Sequence, residues 1–240
     1  MKIIDKILQD KKLLAVLIDP DKAEYQHIEK ICANANQGFI DLLFVGGSIT
    51  SVYVDNLVEQ IKEMTNVPVV LFPGHPSQVS LKADAILFLS LISGRNPDFL
   101  IGHHIYVSKL LKNNPIEVIP TGYILVESQN TTSVEYISNT KPIPADKADI
   151  VVSTALAGEL LGMKLIYLEG GSGASRSINS DLIKNLKAEL SIPLIVGGGI
   201  KTIEDMQTYA QSGANVVVIG TLFEKNEDLI PKFYKKLQEC

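Results

Sequence analysis

The chain alternates short apolar runs with longer amphipathic stretches. The apolar runs are mostly continuous, as is typical of parallel strands that are covered on both faces. They predict strands at Leu13–Ile18, Ile40–Val45, Val67–Leu71, Ala85–Leu89, Glu117–Ile119, Leu165–Leu168, Leu194–Val196 and Val216–Ile219. Helical patterns lie at Ala23–Asn36, Val52–Met64, Asp98–Leu111, Ala145–Leu161, Ser180–Glu189, Thr202–Ser212 and Asp228–Glu239. This order predicts a TIM (β/α)8 barrel that lacks one helix.

Two spacings depart from the regular repeat. Phe72–Asp84 separates the third and fourth strands and contains Pro73, Gly74 and Pro76, which disfavour a crossover helix. We therefore expect the third helix to be shortened or absent, leaving a gap that can become a groove. In contrast, Gln129–Pro144 is an insertion rich in Asn, Thr and Ser, and it predicts a long loop or lid.

Length and composition are consistent with one domain and argue against several classes of protein. The length of 240 residues is close to the roughly 250 of one such barrel, so a single phosphate-binding barrel domain is expected over residues 1–240. A net charge of −5 argues against nucleic acid as a partner. The two cysteines form no metal-binding motif. The charged N-terminal segment resembles no signal peptide, and the longest apolar run is too short to span a membrane, so a soluble, cytoplasmic protein is expected.

Three glycine-rich turns follow predicted strands in the last third of the chain. They read Leu165-Ile-Tyr-Leu-Glu-Gly-Gly-Ser-Gly173, Ile192-Pro-Leu-Ile-Val-Gly-Gly-Gly199 and Val216-Val-Val-Ile-Gly-Thr221. Glycines at the ends of parallel strands let backbone N–H groups approach an anion closely. In (β/α)8 barrels the loops after strands 7 and 8 often bind phosphate. These turns therefore predict a phosphate site at the barrel mouth.

The first two strands end in residues that suit a cation at the same face. Asp19-Pro-Asp-Lys22 follows the first strand, and Gly46-Gly-Ser48 follows the second. Two interpretations are open from these residues alone. Asp19 and Ser48 either bind a divalent cation together with a phosphate, or they cap the turns and helices that follow.

The ordered motifs resemble those of the geranylgeranylglyceryl phosphate synthase family. The resemblance rests on Asp19-Pro-Asp-Lys22, Phe44-Val-Gly-Gly-Ser48, Tyr167-Leu-Glu-Gly-Gly-Ser-Gly173, Gly197-Gly-Gly-Ile200 and Gly220-Thr221, and it covers nearly the whole chain. It implies a modified TIM barrel. It also implies transfer of a polyprenyl group, geranylgeranyl being expected, from its diphosphate to the C3 hydroxyl of sn-glycerol 1-phosphate with Mg²⁺ as cofactor.

The resemblance also implies roles for individual residues. Asp19 and Ser48 match the metal site. The glycerol phosphate site matches Tyr167, Leu168, Glu169, Gly170, Gly171, Ser172, Gly173, Gly197, Gly198, Gly220 and Thr221. Glu169 either accepts the proton of the acceptor hydroxyl, which is the interpretation we favour, or only orients the glycerol.

Two features refine the resemblance. One subgroup of the family has a basic residue where this chain has Leu17, so Lys22, Lys201 and Arg176 are candidates for meeting phosphate or diphosphate charge. The long insertion resembles the second subgroup, which occurs in bacteria and archaea. A homo-oligomer and transient contact of the enzyme with a membrane surface are further expectations.

A long prenyl chain would need an apolar groove in which to lie. Apolar residues flank the fourth strand and the fourth helix, and we expect some of them to line the gap left by the missing helix and the others to pack in the barrel core: Phe88, Leu89, Leu91, Ile92, Phe99, Ile101 and Ile105. Two other functions share the glycine turns. An isomerase or cyclase would need an acid/base pair, for which the predicted end of the fifth strand offers no obvious partner. A non-catalytic phosphometabolite-binding protein would need neither Asp19 nor Glu169.

Overall fold

The computed structural model describes residues 1–9, 11–171 and 177–240, and within this range eight parallel strands close into a barrel. Each strand pairs with the next along the chain, and the eighth pairs with the first. The strands are β1 (Leu13–Ile18), β2 (Leu42–Val45), β3 (Val69–Leu71), β4 (Ala85–Leu91), β5 (Glu117–Leu125), β6 (Leu165–Glu169), β7 (Leu194–Gly197) and β8 (Val216–Ile219). The predicted (β/α)8 barrel is confirmed.

Helices cover most of the outside of the barrel. They are α1 (Ile3–Ile7), α2 (Tyr25–Asn36), α3 (Val54–Met64), α4 (His103–Lys112), α5 (Ser133–Ser138), α6 (Ala148–Leu160), α7 (Ser180–Glu189), α8 (Ile203–Gln211), α9 (Thr221–Lys225) and α10 (Ile230–Leu237). The seven predicted helices correspond to α2, α3, α4, α6, α7, α8 and α10. Most of them begin a few residues later than predicted. No helix among the described residues has the length and apolar character to cross a membrane.

Two apolar layers explain why the strand runs are continuous. Leu13 and Ala15 of β1 pack inside the barrel with side chains such as Phe44 and Tyr167. Leu14 and Val16 point outward and pack against the helices. Because both faces of each strand are buried, neither face requires polar residues, and the alternation seen in half-exposed strands is absent.

The crossover from β3 to β4 has no α-helix, as predicted. It contains one turn of 3-10 helix at Pro76–Gln78. The buried side chain of Gln78 fixes this crossover, because its Nε2 donates to the Gly47 carbonyl at 2.9 Å and its Oε1 accepts from the Gly74 N–H at 3.0 Å. The outer face beside β4 is therefore open to α4 and to the insertion.

The fifth strand is longer than the sequence predicts. The predicted strand ends at Ile119, whereas β5 continues past Pro120 and Gly122 to Leu125. Pro120 lacks an N–H, but its carbonyl accepts from the Lys164 N–H at 2.8 Å. A Cβ on Gly122 would lie 2.7 Å from the Ile166 side chain, so the packing between barrel and helices leaves no room for a larger residue at this position. The extension carries Tyr123 into the barrel interior.

Helix α1, which the sequence did not predict, lies against the amino-terminal end of the barrel. Its Ile3 and Ile7 side chains are buried, and the N–H groups of Ile3 and Ile4 donate to the Glu117 carboxylate at 2.6 and 3.0 Å. A carboxylate at a helix N-terminus satisfies N–H groups that lack intrahelical partners. This end of the barrel is thus covered, which leaves the carboxyl ends of the strands as the accessible face.

Candidate active site

One cavity of about 730 Å³ occupies the carboxyl-terminal face of the barrel and extends over β4. Its polar end lies among the turns after β6, β7 and β8. Its apolar end lies between β4, α4 and the insertion, where the third helix is missing. The two ends belong to one continuous space, whose volume suits a ligand larger than a simple phosphate ester.

The turn after β7 approaches the end of β6 closely. Gly198 has φ +82°, and a Cβ there would lie 2.3 Å from Oε1 of Glu169. The Gly170 N–H donates to the Gly197 carbonyl at 2.9 Å. Tyr209 of α8 supports the same turn, because its hydroxyl donates to the Gly198 carbonyl at 3.4 Å and accepts from the Ile178 N–H at 2.7 Å. Glycine is required here by both backbone conformation and space.

Glu169, the last residue of β6, is a buried carboxylate in the polar end of the cavity. Its Oε1 accepts from the Gly171 N–H at 2.7 Å. Burial raises the pKa of this carboxyl to about 7, although hydrogen bonds from Gly171, Tyr167 and Tyr123 favour the ionised form. A carboxyl with a pKa near neutrality is suited to accept a proton at physiological pH.

Three aromatic rings pack beneath this carboxylate. Phe72 stacks on Tyr167 with ring centroids 4.9 Å apart, and Tyr123 meets both rings edge-on at 5.6 and 5.3 Å. Burial raises the pKa of both tyrosine hydroxyls well above the usual value, so they keep their protons and can donate to Glu169. Tyr123 therefore packs in the barrel interior with its hydroxyl directed to Glu169.

The predicted phosphate-site residues fall into groups. Tyr167, Glu169, Gly198, Gly220 and Thr221 line the cavity. Leu168 packs in the layer between barrel and helices, so its side chain points away from the site. Gly170, Gly171 and Gly197 shape the turns without lining the cavity. Ser172 and Gly173 lie outside the described residues, as does Arg176.

Asp19 follows β1 and faces the cavity beside Lys22. Its Oδ2 lies 2.7 Å from the Lys22 ammonium, and its Oδ1 accepts from the Asp21 N–H at 3.2 Å. Through Oδ1, Asp19 caps the 3-10 turn at Pro20–Lys22, so the capping interpretation is correct for this oxygen. Asp21 instead binds Ser51, accepting from its N–H at 2.8 Å and from its hydroxyl at 3.0 Å, which ties the loop after β1 to the loop after β2.

The donor set near Asp19 fits a cation that a phosphorylated ligand helps to bind. Ser48 lines the cavity, and a Cβ on Gly47 would lie 3.3 Å from Asp19 Oδ1, so the loops after β1 and β2 meet here. Among the described residues no group of three or more His, Cys, Asp and Glu is arranged to hold a metal ion. Mg²⁺ is commonly bound through one or two carboxylates plus substrate phosphates, with waters completing its shell.

The charge of the cavity lining supports the same fit. Its described acidic residues are Asp19, Asp21, Glu169 and Glu224, and its described lysines are Lys22, Lys201 and Lys225. These side chains carry no positive excess with which to neutralise phosphorylated ligands. A divalent cation would offset that deficit.

The apolar end of the cavity is built mainly from β4 and α4. Of the seven predicted groove residues, Phe88, Leu89, Leu91 and Phe99 line it. Ile92 does not line it. Ile101, in the π-helical turn before α4, and Ile105 on α4 are exposed, so these three candidates do not contribute to the groove.

Sequence reasoning missed several lining residues at this end. The insertion contributes Val134 and Ile137, which agrees with its predicted position near the site. His103 and His104 also line the cavity and pack edge-on against Phe99 and Phe88, at 4.6 and 4.2 Å. Burial lowers the pKa of both imidazoles. They therefore add neutral aromatic surface to this end of the cavity.

The chain has relatives along its full length. The sequence model of the PcrB family matches residues 5–239. The geranylgeranylglyceryl phosphate synthase of Chitinophaga pinensis is 46% identical over 228 residues, covering 95% of this chain and 90% of that relative. The enzyme of the same name from Methanosphaera stadtmanae is 41% identical over 237 residues, covering 98% and 95% of the two chains.

A solved structure matches at the level of the backbone. It is (S)-3-O-geranylgeranylglyceryl phosphate synthase from Thermoplasma acidophilum in complex with its substrate sn-glycerol-1-phosphate. That protein has a TM-score of 0.93 and 31% identity to this chain, and the match covers 100% of both chains. These relatives share the barrel and most of the length of the chain.

Proposed function

This chain belongs to the PcrB family, and from that premise we propose that it is a geranylgeranylglyceryl phosphate synthase. The reaction transfers a polyprenyl group, geranylgeranyl in the named relatives, from its diphosphate to the C3 hydroxyl of sn-glycerol 1-phosphate. The observation that carries the proposal is the single cavity, which joins a glycine-rich polar end containing Glu169 to an apolar end over β4 and α4.

The acceptor occupies the polar end. The turns after β7 and β8 present Gly198, Gly220 and Thr221 to the cavity, at the position where barrels of this kind commonly bind phosphate. Glycine allows the backbone to approach the phosphate oxygens directly. With the phosphate held there, the glycerol extends towards Glu169 at the end of β6. A relative with the same fold binds sn-glycerol-1-phosphate, which supports this placement.

Glu169 serves as the general base. As the oxygen–carbon bond forms between the C3 hydroxyl and the first carbon of the prenyl group, the bond from that carbon to the diphosphate oxygen breaks. The hydroxyl proton passes to the Glu169 carboxylate, and diphosphate leaves with the electron pair of the broken bond. A pKa of about 7 lets the carboxylate be ionised before the step and accept the proton during it. The packed rings of Tyr167 and Tyr123 hold the carboxylate in place.

Mg²⁺ is the proposed cofactor, with Asp19 and Ser48 as its protein ligands. When bound, it would neutralise the charge that develops on the leaving diphosphate. Asp19 has one oxygen engaged in the 3-10 turn and one directed to Lys22, so the side chain is held at the cavity rim. The loop containing Gly47 and Ser48 lies against it without an intervening side chain.

The donor chain occupies the apolar end. Phe88, Leu89 and Phe99, together with the histidine rings of α4, offer continuous nonpolar surface beside the polar site. Each buried CH₂ group contributes about 0.8 kcal/mol, so a long hydrocarbon chain gains much from such a surface. The same surface excludes water from the carbon that undergoes attack. Neither the isomerase or cyclase alternative nor a phosphometabolite-binding protein requires it.

A direct assay tests the proposal. The protein is incubated with Mg²⁺, radiolabelled sn-glycerol 1-phosphate and prenyl diphosphates of several lengths, and the lipid-soluble phosphate product is counted. We expect product with sn-glycerol 1-phosphate and much less with its enantiomer, sn-glycerol 3-phosphate. Absence of product at every chain length would refute prenyl transfer. Preference for the 3-phosphate would refute the stereochemical assignment alone. Homo-oligomerisation, a cytoplasmic location and membrane-surface contact stay predictions.

A further inference from the structure

The ammonium group of Lys22 lies between two carboxylates on different sides of the cavity mouth. Its Nζ is 2.7 Å from Asp19 Oδ2 and 3.7 Å from Glu224 Oε2. Asp19 follows β1, whereas Glu224 lies on α9 directly after β8. The lysine therefore bridges the loop proposed to bind metal and the segment that follows the proposed phosphate turn.

The backbone that carries Lys22 is held by hydrogen bonds, and its side chain is more exposed than those of its two partners. The 3-10 turn at Pro20–Lys22 is held by the Asp19 cap and by the contacts of Asp21 with Ser51. The Lys22 side chain is 58% exposed, against 23% for Asp19 and 17% for Glu224. Ion pairs that involve an exposed lysine are weak and readily exchanged. Two more buried carboxylates thus share one exposed ammonium group.

Both oxygens of Asp19 have partners, since Oδ1 accepts from the Asp21 N–H and Oδ2 pairs with Lys22. A divalent cation at Asp19 would therefore compete with the ammonium, because two positive groups on one carboxylate repel each other and each weakens the binding of the other. Glu224 resolves the conflict, because it offers the ammonium a second acceptor within reach. The ammonium can therefore give up Asp19 and remain paired with Glu224 at the rim of the cavity.

We propose that Lys22 pairs with the Asp19 carboxylate in the ligand-free enzyme and binds the prenyl diphosphate once a divalent cation takes its place at Asp19, with Glu224 as its second anchor. This inference rests on the proposed function, since it assigns a residue to the leaving group of that reaction. A donor held at the diphosphate acts where negative charge develops in the transition state.

Opposite effects on two ligands distinguish this role from a structural one. In Lys22→Ala, Asp19 loses its competing cation, so Mn²⁺ alone should bind about two- to fivefold more tightly. Inorganic pyrophosphate, measured at saturating Mg²⁺, should bind about tenfold more weakly because a charge-assisted contact is lost. Free Mn²⁺ is followed by electron paramagnetic resonance, and pyrophosphate binding by calorimetry. Neither readout requires turnover.

Matched variants complete the test. Lys22→Gln keeps a polar side chain, one atom shorter than lysine, without the charge and should give the same pair of opposite shifts. Lys30→Ala removes an equal charge from α2, where Lys30 pairs with Glu227 outside the cavity, and should shift neither constant. If both ligands bind Lys22→Ala and Lys22→Gln as they bind the wild type, or both bind more weakly, the inference is wrong. A wild-type protein that makes no prenylated product refutes the proposed function instead, whatever the two binding constants show.

Discussion

The two ends of the cavity are built in different ways. The polar end is made largely from backbone: glycines after β7 and β8 leave room for a ligand and place Glu169 within 2.3 Å of where a Gly198 Cβ would stand. The apolar end is made from side chains of β4, α4 and the insertion, which come together because one helix is missing. A backbone site tolerates few substitutions. A side-chain site can be reshaped one residue at a time, so we expect chemistry and donor length to respond to different mutations.

The largest effect is expected when the general base is removed, and it should concern the polar end of the cavity alone. Glu169→Gln keeps the size of the side chain but cannot accept the proton, so kcat should fall about 10²- to 10⁴-fold. The KM for the prenyl diphosphate should change little, because the apolar end is untouched. Steady-state kinetics with the donor varied measures both. A variant that keeps more than a tenth of wild-type kcat would reduce Glu169 to an orienting role.

Crowding at the polar end is tested by a single methyl group. Gly198→Ala places a Cβ 2.3 Å from Glu169 Oε1 and 2.6 Å from the Gly171 nitrogen, at φ +82°. We expect sn-glycerol 1-phosphate to bind at least about tenfold more weakly and the free energy of unfolding to fall by about 1–3 kcal/mol. Gly38→Ala is the matched control, because Gly38 has φ +81° with nothing near its Cβ position. Equal losses in both variants would mean that strain alone, and not crowding at the site, explains the effect.

A bulky side chain in the apolar end of the cavity tests where the donor chain lies. Val107 of α4 is buried and lines this part of the cavity, so Val107→Trp should shorten the space left for the donor chain. Because each excluded CH₂ forfeits about 0.8 kcal/mol, kcat/KM for the longest donor should fall more than about tenfold, with little change for short ones. Tyr106→Trp, on the exposed side of the same helix, serves as control. A uniform loss at every donor length would argue against this position of the chain.

The pH dependence of activity and of stability should follow the ionisation of Glu169 at the polar end. With the pKa of Glu169 raised by burial to about 7, kcat/KM should rise with pH through that value and level off above it. Stability should respond in the opposite direction. A folded-state pKa above the usual 4.5 means that folding favours the protonated acid, so the wild type loses stability relative to Glu169→Gln as pH rises from about 4.5 to 7. Thermal melting of both proteins across this range measures the difference.

The smallest effect is expected at the opposite end of the barrel. Glu117→Ala removes the acceptor for two N–H groups of α1, which should lower the free energy of unfolding by about 1–2 kcal/mol. Activity at a permissive temperature should be unchanged, since Glu117 is far from both ends of the cavity. Chemical denaturation and the standard assay check these two statements. A loss of activity in the folded variant would show that the two faces of the barrel are coupled.

The sequence predicts the polar end better than the apolar end for a physical reason. Local backbone conformation and close approach require glycine at Gly198 and Gly220, so this requirement is visible in the sequence as a short glycine motif. The missing helix was also predictable, because Pro73 and Pro76 lie in a crossover too short for one. Glu169 follows from its place within a glycine motif at a strand end.

The parts that were not predicted depend on long-range packing. Tyr123 reaches Glu169 only because β5 continues past Pro120, and a proline-glycine segment normally indicates a turn. Helix α1 is too short to form by itself and depends on Glu117, which lies more than a hundred residues away in sequence. The exposed positions of Ile101 and Ile105 depend on the rotation of α4, which begins after a turn of π-helix at Asp98–Gly102. None of these features has a local signature.

The central claim is that one cavity holds the acceptor at its glycine-rich end and the donor chain at its apolar end. A crystal structure with sn-glycerol 1-phosphate and an unreactive prenyl thiodiphosphate, in which sulfur replaces the bridging oxygen, tests it most directly. We predict the phosphate on the turns containing Gly198 and Gly220, the C3 hydroxyl about 2.6–3.2 Å from the Glu169 carboxylate, and the chain along β4 and α4. A prenyl chain bound outside this cavity, or a C3 hydroxyl directed away from Glu169, would contradict the account.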